Sequence, residues 1–364
     1  MAGRRNRYGY REYRGRGGAR SVLIFIIVLL AVLFIAGVAF MIVMGDYINY
    51  TPNGMEINLP WRHQEPSAPP EFSDPVVIES DDTVVTVEPT PDPTPTPTPE
   101  LQYEPLTAVT VTANQLRNGT AAQVVASAGG SALVVEMKAS NGKLVWQSQT
   151  ELSASLHVNA ANNDMAVIIQ DLAQNGDLYL VARVHCFRDP VLANAWIGPL
   201  MSRRGRIWYD FYGVSWSSPA HQETVDYLSA LCLELADMGF DEILLDDAGY
   251  PCLGEVNALA TDDNRPEDRT VPVAAFLQRI SGELKEKGVR LSVYAYEELL
   301  SEDDKVYSGM TAAVLAQGAG RVWLDKQVDR EYYESILSAA GLDNLAARVV
   351  APAADAAEGR SWYK

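Results

Sequence analysis

The chain has 364 residues, with 29 Lys or Arg against 47 Asp or Glu, and a formal net charge of −18 at pH 7. A surface this acidic repels the phosphate backbone and argues against a nucleic-acid partner. Three cysteines, Cys186, Cys232 and Cys252, are too few and too widely spaced for a disulfide framework or a zinc site. We therefore predict no metal and no cofactor, and packing roles for Cys186 and Cys232.

The first 44 residues predict a membrane anchor. Residues 1–20 contain seven Arg and one Glu without an apolar period, which is typical of a disordered basic tail. Residues 21–44 carry no charge and are long enough to cross a hydrocarbon core of about 30 Å as a helix. Apolar residues continue past the small residues Ala36, Gly37 and Ala39, which favours a retained signal-anchor over a cleaved signal peptide.

The basic tail sets the predicted topology. Its Arg cluster keeps the N-terminus in the cytoplasm, so everything after Asp46 lies outside the cell membrane of this single-pass protein. A nucleic-acid-binding arm is the alternative interpretation of the tail, although the balance of the remaining chain, 22 basic against 46 acidic residues, disfavours it.

Residues 45–105 predict an extracytoplasmic linker. Pro alternates with other residues, mainly Thr, from Pro89 to Pro99. Such a sequence favours polyproline II, which extends by about 3.1 Å per residue and forms a semi-rigid stalk. A ligand for a Pro-binding module is the alternative, but most such modules are cytoplasmic.

Residues 106–364 alternate between strand and helix patterns. Repeated βα units predict a parallel sheet, and the length fits a TIM-type (β/α) barrel of about 250 residues. Seven strands are recognisable, so the barrel is open, closed by another segment, or truncated before an eighth unit. The predicted strands are Ala108–Thr112, Ala132–Lys138, Leu178–Phe187, Asp241–Asp246, Arg290–Tyr296, Arg321–Leu324 and Ala347–Ala351. The clearest helices are His221–Met238, Val271–Lys287 and Arg330–Ala340.

The segment from Gly239 to Pro251 is the centre of the functional prediction. Strand parity predicts that Asp246 points into the barrel at the carboxyl end of its strand, where ligands of barrel enzymes bind. Asp247 follows it directly. The alternative is that both carboxylates begin a solvated loop.

Four segments resemble a family of predicted bacterial glycoside hydrolases with a TIM-barrel domain, often carried behind an N-terminal membrane anchor. They are Val134–Lys138, Ala182–Asp189, Trp216–Pro219 with Asp226 and Tyr227, and Glu234 through Asp246 to Pro251. The resemblance covers residues 106–255 well. Two departures, Gly249 where the family has Arg and Tyr294 where it has Asp, suggest altered specificity or a degenerate site that only binds.

Glycoside hydrolysis generally needs two carboxyl groups at the barrel mouth. Asp246 is the first candidate, as nucleophile or charge stabiliser, and Glu297 after the next strand is the second. Asp325 and Asp189 compete for the second position. Glu297 is followed by Glu298, and this pair fits a solvated helix start equally well.

Further residues at the strand ends are candidates for substrate binding: Lys138, Arg183, His185, Asp189, Trp216, Asp247 and Asp325. Lys138 and Arg183 either bind hydroxyl or carboxylate groups of a substrate or pair with Glu136 and Glu242 inside the barrel. His185 fits a core or sugar-contact role better than a metal ligand.

An aromatic cluster follows the third predicted strand. Trp208, Tyr209, Tyr212 and Trp216 either stack on sugar rings or pack the loop.

We therefore expect a membrane-anchored, extracytoplasmic barrel that hydrolyses cell-envelope or exported polysaccharide. The alternative is a non-catalytic carbohydrate-binding or scaffold protein on a degenerate hydrolase barrel. An open barrel edge would also invite a homo-oligomer or a covering partner.

Overall fold

The computed structural model describes residues 48–51, 54–57, 101–296, 307–326 and 329–364. The predicted basic tail, the transmembrane segment and the Pro-rich stretch lie outside these ranges. Among the described residues, no helix combines the length and apolarity that a membrane span requires. The chain divides into two units, Met1–Pro91 and Asp92–Lys364.

The first unit contains a small antiparallel hairpin, within the stretch predicted as a linker. Strand β1, Ile48–Thr51, pairs with β2, Gly54–Ile57, so that Ile48 faces Ile57.

The second unit is a closed barrel of eight parallel strands, whose order around the barrel follows the chain. This confirms the predicted barrel architecture. The strands are β3 Thr107–Val111, β4 Ala132–Lys138, β5 Tyr179–His185, β6 Glu242–Asp246, β7 Arg290–Ala295, β8 Arg321–Leu324, β9 Val349–Pro352 and β10 Trp362–Tyr363.

The last strand, β10, closes the barrel, because it pairs with both β9 and β3. Of the three alternatives left by the sequence, closure by another segment is correct. The open edge and the missing eighth strand were wrong expectations. Because β10 closes the barrel, an open edge no longer supports the prediction of an oligomer or a covering partner. Two residues are too short to produce a periodic pattern, so β10 could not be recognised in the sequence.

Ten α-helices are present in the described part of the chain. They are α1 Ala113–Arg117, α2 Ala121–Ser127, α3 Glu151–Ser155, α4 Asp164–Asn175, α5 Pro190–Asn194, α6 Gln222–Met238, α7 Thr270–Glu286, α8 Ala312–Gly318, α9 Arg330–Ala339 and α10 Leu345–Arg348. Short 3₁₀ turns occupy Val256–Ala258 and Ala353–Asp355. The three predicted long helices match α6, α7 and α9 to within one residue at each end. Helix α6 ends at Gly239, whose φ of 108° allows the left-handed turn into β6.

Strand β6 separates two apolar layers. Leu244 packs inside the barrel, whereas Ile243 and Leu245 pack outside against the helices. This alternation confirms the predicted strand parity, so Glu242 and Asp246 also point inward at the two ends of the strand.

A buried ion pair fills the amino-end floor of the barrel. The guanidinium of Arg321 pairs with the Glu242 carboxylate, which also accepts hydrogen bonds from the Tyr179 hydroxyl (2.9 Å) and the Trp323 indole (3.2 Å). Arg321 is therefore the partner of Glu242, whereas the sequence analysis considered Arg183 as that partner. With its floor occupied by this network, the barrel opens for ligands at the opposite end.

Candidate active site

A cavity of about 440 Å³ opens at the carboxyl ends of the barrel strands. Its wall combines the ends of β5 to β8 with the loops that follow them. Among its lining residues are His185, Arg188, Asp210, Trp216, Asp247, Tyr250, Tyr296 and Asp325. Ligands of parallel barrels bind at this end, and the cavity volume lies in the range of small-molecule binding sites.

Asp246 lies at the carboxyl end of β6, and its inward-pointing side chain is fully buried. Its Oδ2 accepts hydrogen bonds from Nε (2.8 Å) and Nη2 of Arg183. Its Oδ1 accepts from the Tyr296 hydroxyl (2.6 Å) and the backbone N–H of Asp247 (2.8 Å). Burial alone would raise the pKa of the Asp246 carboxyl, but His185, Arg183 and Tyr296 together hold it below its ordinary value. Asp246 is therefore a fixed negative charge behind the cavity wall.

Asp247 lines the cavity itself, next to this charge. Its backbone is left-handed, with φ of 49°, and this turns the side chain out of the strand direction. Its Oδ2 shares a hydrogen bond of 2.7 Å with Nδ1 of His185. Burial, followed by the negative charge of Asp246, raises the pKa of the Asp247 carboxyl above its ordinary value. The two neighbouring carboxyls thus differ in their tendency to ionise.

His185 connects Asp247 to a third carboxylate. Its Nε2 lies 3.6 Å from Oε1 of Glu136, whose side chain is 48% exposed at the end of β4. The imidazole ring therefore lies between a buried carboxyl and a solvent-accessible one. The three groups thus form a row from the cavity to a solvent-accessible carboxylate.

Tyr294 of β7 contacts both Arg183 and Asp325. The guanidinium of Arg183 lies 5.0 Å from the ring centroid of Tyr294, within cation–π range. The Tyr294 hydroxyl donates a hydrogen bond of 3.0 Å to Oδ1 of Asp325. Asp325 lines the cavity, so the carboxylate that directly follows β8 borders the same space as Asp247, which directly follows β6.

Asp210 organises the aromatic loop. Its Oδ2 accepts from Nε of Arg188 (2.8 Å) and the indole N–H of Trp216 (3.1 Å), and its Oδ1 accepts from the backbone N–H groups of Tyr212 and Val214 (2.9 Å each). Burial alone would raise the pKa of the Asp210 carboxyl, but these bonds lower it overall. An ionised Asp210 therefore fixes the loop against the cavity.

The aromatic cluster predicted from the sequence separates into two groups. Trp208 and Trp216 are buried, whereas Tyr209 and Tyr212 are exposed. Trp216 also lines the cavity. Loop packing therefore describes the two tryptophans, and stacking on a sugar stays a prediction.

Lys138 and Asp189 form a buried ion pair outside the cavity wall. Nζ of Lys138 lies 2.7 Å from Oδ2 of Asp189 and donates to the His185 carbonyl (2.8 Å). The other oxygen of Asp189 caps α5 through the backbone N–H groups of Val191 and Leu192. These contacts assign both residues to the support of the loop after β5, and their predicted role in substrate binding stays a prediction. Glu297 lies outside the described residues.

His185, Asp246 and Asp247 present ligand atoms within 4.8 Å of one another, a spacing that could hold a metal ion. The Arg183 guanidinium, however, already occupies Oδ2 of Asp246. A cation bound to that oxygen would meet the guanidinium charge, so the donor set fits a shared proton better than a metal.

Several residues of the site were absent from the sequence prediction: Glu136 as a site residue, Arg188, Asp210, Tyr250 and Tyr296. Tyr296 could have been found, because strand parity places it on the same face as Tyr294. Asp210 could not, because a loop has no parity and its four partners lie at four separate positions.

Gly249 explains one departure from the family pattern. A Cβ atom at this position would lie 2.5 Å from the backbone carbonyl oxygen of Ser308, too close for any side chain. Ser308 also accepts a hydrogen bond from the backbone N–H of Tyr250 (2.8 Å), so this contact holds two loops together. An Arg at position 249 would require a different loop path.

Fold and site together define a TIM-type barrel with a carboxylate cluster at the carboxyl ends of its strands. Residues 106–318 match the family described as "Putative glycosyl hydrolase domain", and the chain belongs to this family. No curated protein matches the chain.

Solved structures share the fold at low sequence identity. The glycoside hydrolase domain of PgaB (BpsB) from Bordetella bronchiseptica is 13% identical, with a TM-score of 0.50, over 68% of this chain and 83% of that one. A hypothetical protein from Ruminiclostridium thermocellum is 21% identical, with a TM-score of 0.44, over 51% and 96%. A β-N-acetylhexosaminidase from Streptomyces coelicolor is 14% identical, with a TM-score of 0.43, over 70% and 49%. At 13% identity, the comparison with the PgaB domain supports the fold alone.

Proposed function

We propose that the protein is a glycoside hydrolase acting on cell-envelope or exported polysaccharide, with Asp246 and Asp247 as its central carboxyl pair. The observation that carries this proposal is the contrast between the two neighbours. Asp246 is buried and held ionised by Arg183, while Asp247 faces the cavity with a raised pKa. Carboxyl pairs whose surroundings separate their pKa values are typical of acid and base catalysts.

In this proposal Asp247 is the general acid. A carboxyl whose pKa is raised holds its proton more readily than an ordinary aspartate and can donate it to the oxygen of the leaving sugar. Asp246 sits beside it and contributes twice: its charge raises the pKa of Asp247, and it stabilises positive charge that develops on the sugar. His185 and Glu136 return the proton to Asp247 after each turnover.

Asp325 is the proposed opposing carboxylate. It lines the same cavity from β8, two strands from the end of β6. Trp216 lines the same cavity, and the exposed ring of Tyr212 offers aromatic surface on which the CH faces of a sugar can stack. Glycoside hydrolysis at a pair of carboxyls needs one group on each side of the scissile bond, and Asp247 with Asp325 supply such a pair.

A binding function without catalysis is the second candidate. It is favoured by the hydrogen bonding of Asp246, whose two oxygens already accept four hydrogen bonds inside the protein. A carboxylate so engaged has little capacity left to act as a nucleophile. In that case the cavity and its aromatic wall would hold a glycan without cleaving it.

The proposal places the barrel outside the cell membrane, behind a single-pass signal-anchor and a Pro-rich stalk. It rests on the uncharged run at residues 21–44 and the seven Arg before it. Protease added to intact cells should remove the chain after Asp46 and spare the tail. Protection of the Pro-rich segment would contradict this orientation.

One experiment separates catalysis from binding. Purified full-length protein is incubated with a panel of envelope and exported glycans, and both released reducing ends and bound glycan are measured. Hydrolysis of at least one glycan, lost in Asp247→Asn, supports the enzyme. Retention of a glycan without product, unchanged in Asp247→Asn, supports the binding protein.

A further inference from the structure

A second depression adjoins the cavity on the side of the aromatic loop. We name it the arginine–aromatic groove and define it by Arg203, Arg204, Tyr209, Phe211 and Asn257. It encloses about 1110 Å³ between the loop after β5 and the loop after β6. Both loops leave the carboxyl ends of their strands, so the groove lies on the same end of the barrel as the cavity.

The aromatic side of the groove is exposed to an unusual degree. Phe211 is 78% exposed and Tyr209 51%, whereas Trp208 beside them is buried and donates its indole N–H to the Glu255 carbonyl (3.1 Å). Adjacent exposed aromatic rings on a water-facing surface indicate a binding site, because leaving them exposed sacrifices their hydrophobic burial. Here the buried Trp208 fixes the loop, and the exposed rings remain available.

The other side of the groove is basic. Arg203 and Arg204 are exposed, and within the described ranges neither side chain has a carboxylate within ion-pair distance. The groove has two acidic residues, Glu255 and Asp210, but the Asp210 carboxylate already pairs with Arg188. On a chain with a net charge of −18, a locally basic groove concentrates anions.

The groove adjoins the cavity, because the two share a lining residue. Asp210 lines both spaces, and Tyr212, on the cavity side, meets Phe211, on the groove side, with ring centroids 5.4 Å apart. A chain molecule that stacks on Phe211 therefore reaches the cavity by passing Tyr212. A single small ligand would need only one of the two spaces.

We propose that the arginine–aromatic groove binds a polysaccharide strand that carries carboxylate or phosphate groups and leads it into the cavity. Aromatic rings take the CH faces of successive sugars, and Arg203 and Arg204 take the anionic substituents. The inference names the substrate class of the hydrolase proposed above and rests on that function only for the cleavage step. Anionic binding in the groove is a separate property.

The test uses full-length protein and a matched pair of probes, polygalacturonate and its methyl ester, which share a backbone and differ in charge. Binding is measured by isothermal titration calorimetry at low and high salt for wild type, Arg203→Gln/Arg204→Gln and Phe211→Ala. Lys285→Gln/Lys287→Gln is the charge control. It removes two exposed lysines near the end of α7, which leads into the amino end of β7 on the opposite side of the barrel.

We expect wild type to bind the charged probe at least tenfold more tightly than the ester, with the preference reduced at high salt. The arginine double variant should lose that preference, Phe211→Ala should weaken both probes, and the lysine control should match wild type. The preference for the charged probe is a binding measurement that requires no cleavage, so a failure of hydrolysis leaves this result standing. Equal affinity for both probes, or equal losses in the arginine and lysine variants, would overturn the inference. So would binding of phosphatidylglycerol vesicles, but of neither glycan, that depends on Phe211.

Discussion

Nδ1 of His185 lies 2.7 Å from Oδ2 of Asp247, and the same ring nitrogen lies 3.7 Å from Oδ2 of Asp246. The imidazole thus touches both carboxyls of the pair from one side, while Arg183 holds Asp246 from the other. This arrangement separates the pKa values of the two acids: His185 and Arg183 lower the pKa of Asp246, while burial and the charge of Asp246 raise the pKa of Asp247. The predictions below follow from that separation.

The Asp247→Asn variant should gain stability relative to wild type as pH rises above the unfolded pKa of Asp247, about 3.9, and through its higher folded pKa. The folded pKa of Asp247 is raised above its unfolded value of about 3.9, so in the window between them the native state binds the extra proton. Its contribution to stability is present at low pH and is lost as pH rises through the folded pKa. Asn cannot titrate and does not lose it. Urea unfolding at a series of pH values measures the difference, and a constant difference across the series would contradict the raised pKa.

The Asp246→Asn variant should be destabilised near neutral pH, because it leaves the Arg183 guanidinium without its carboxylate. Breaking a buried pair costs about 3–5 kcal/mol, and the 30% exposure of Arg183 places this one near the lower value. The pKa of Asp246 is lowered, so the wild-type advantage should disappear as pH falls through the folded pKa.

The matched control for this measurement is Asp226→Asn. Asp226 pairs with Arg279 on the surface, where both side chains are exposed, and the loss should stay below about 1 kcal/mol. Equal losses in the two variants would mean that Asp246 contributes no more than a surface carboxylate.

The Glu136→Gln variant should fold normally but change the pH dependence of catalysis. Its side chain is half exposed, so the stability change should be within about 1 kcal/mol. The amide that replaces the carboxyl cannot carry a proton, so the proposed return of a proton to Asp247 should slow most at high pH, where free protons are scarce. We expect kcat to fall at high pH more than at low pH. A uniform loss at every pH would assign Glu136 to substrate binding.

The Asp210→Ala variant should loosen the aromatic loop. Four hydrogen-bond donors lose their acceptor, including the backbone N–H groups of Tyr212 and Val214, at a cost of about 1–3 kcal/mol. Glycan affinity should fall because Trp216 loses its anchor. Hydrogen-exchange protection of the backbone amides of residues 209–214 measures the opening of the loop directly. Unchanged protection would show that packing of Trp208 alone holds it.

Sequence periodicity predicted the barrel because its strands and long helices have regular patterns. Strand β6 and helix α6 were placed to within a residue, since a buried parallel strand and an amphipathic helix each impose a period. The closing strand β10 escaped detection because two residues have no period. The pairing of Arg321 with Glu242 escaped because charged partners on a barrel floor come from strands far apart in the chain.

The candidate site was predicted in part. The location of Asp246 and Asp247 at the end of a predicted strand indicated both as site residues. Strand parity assigned the leading role to Asp246, because it predicted that this side chain points inward. The left-handed backbone at Asp247 rotates that residue toward the cavity, and no sequence pattern signals such a turn at a non-glycine residue. Loop residues such as Asp210 and Arg188 depended on how three loops meet, which periodicity does not encode.

The most direct test of the central claim compares wild type with Asp247→Asn on two substrates of the same sugar. One has the natural sugar leaving group, which needs a proton, and the other has a dinitrophenyl leaving group, which does not. If Asp247 is the general acid, kcat/KM for the natural glycoside should fall by about 10²–10⁴-fold, while the rate with the dinitrophenyl glycoside stays within a few-fold. Equal losses on both substrates, or full activity on the natural glycoside, would contradict Asp247 as the proton donor of this barrel.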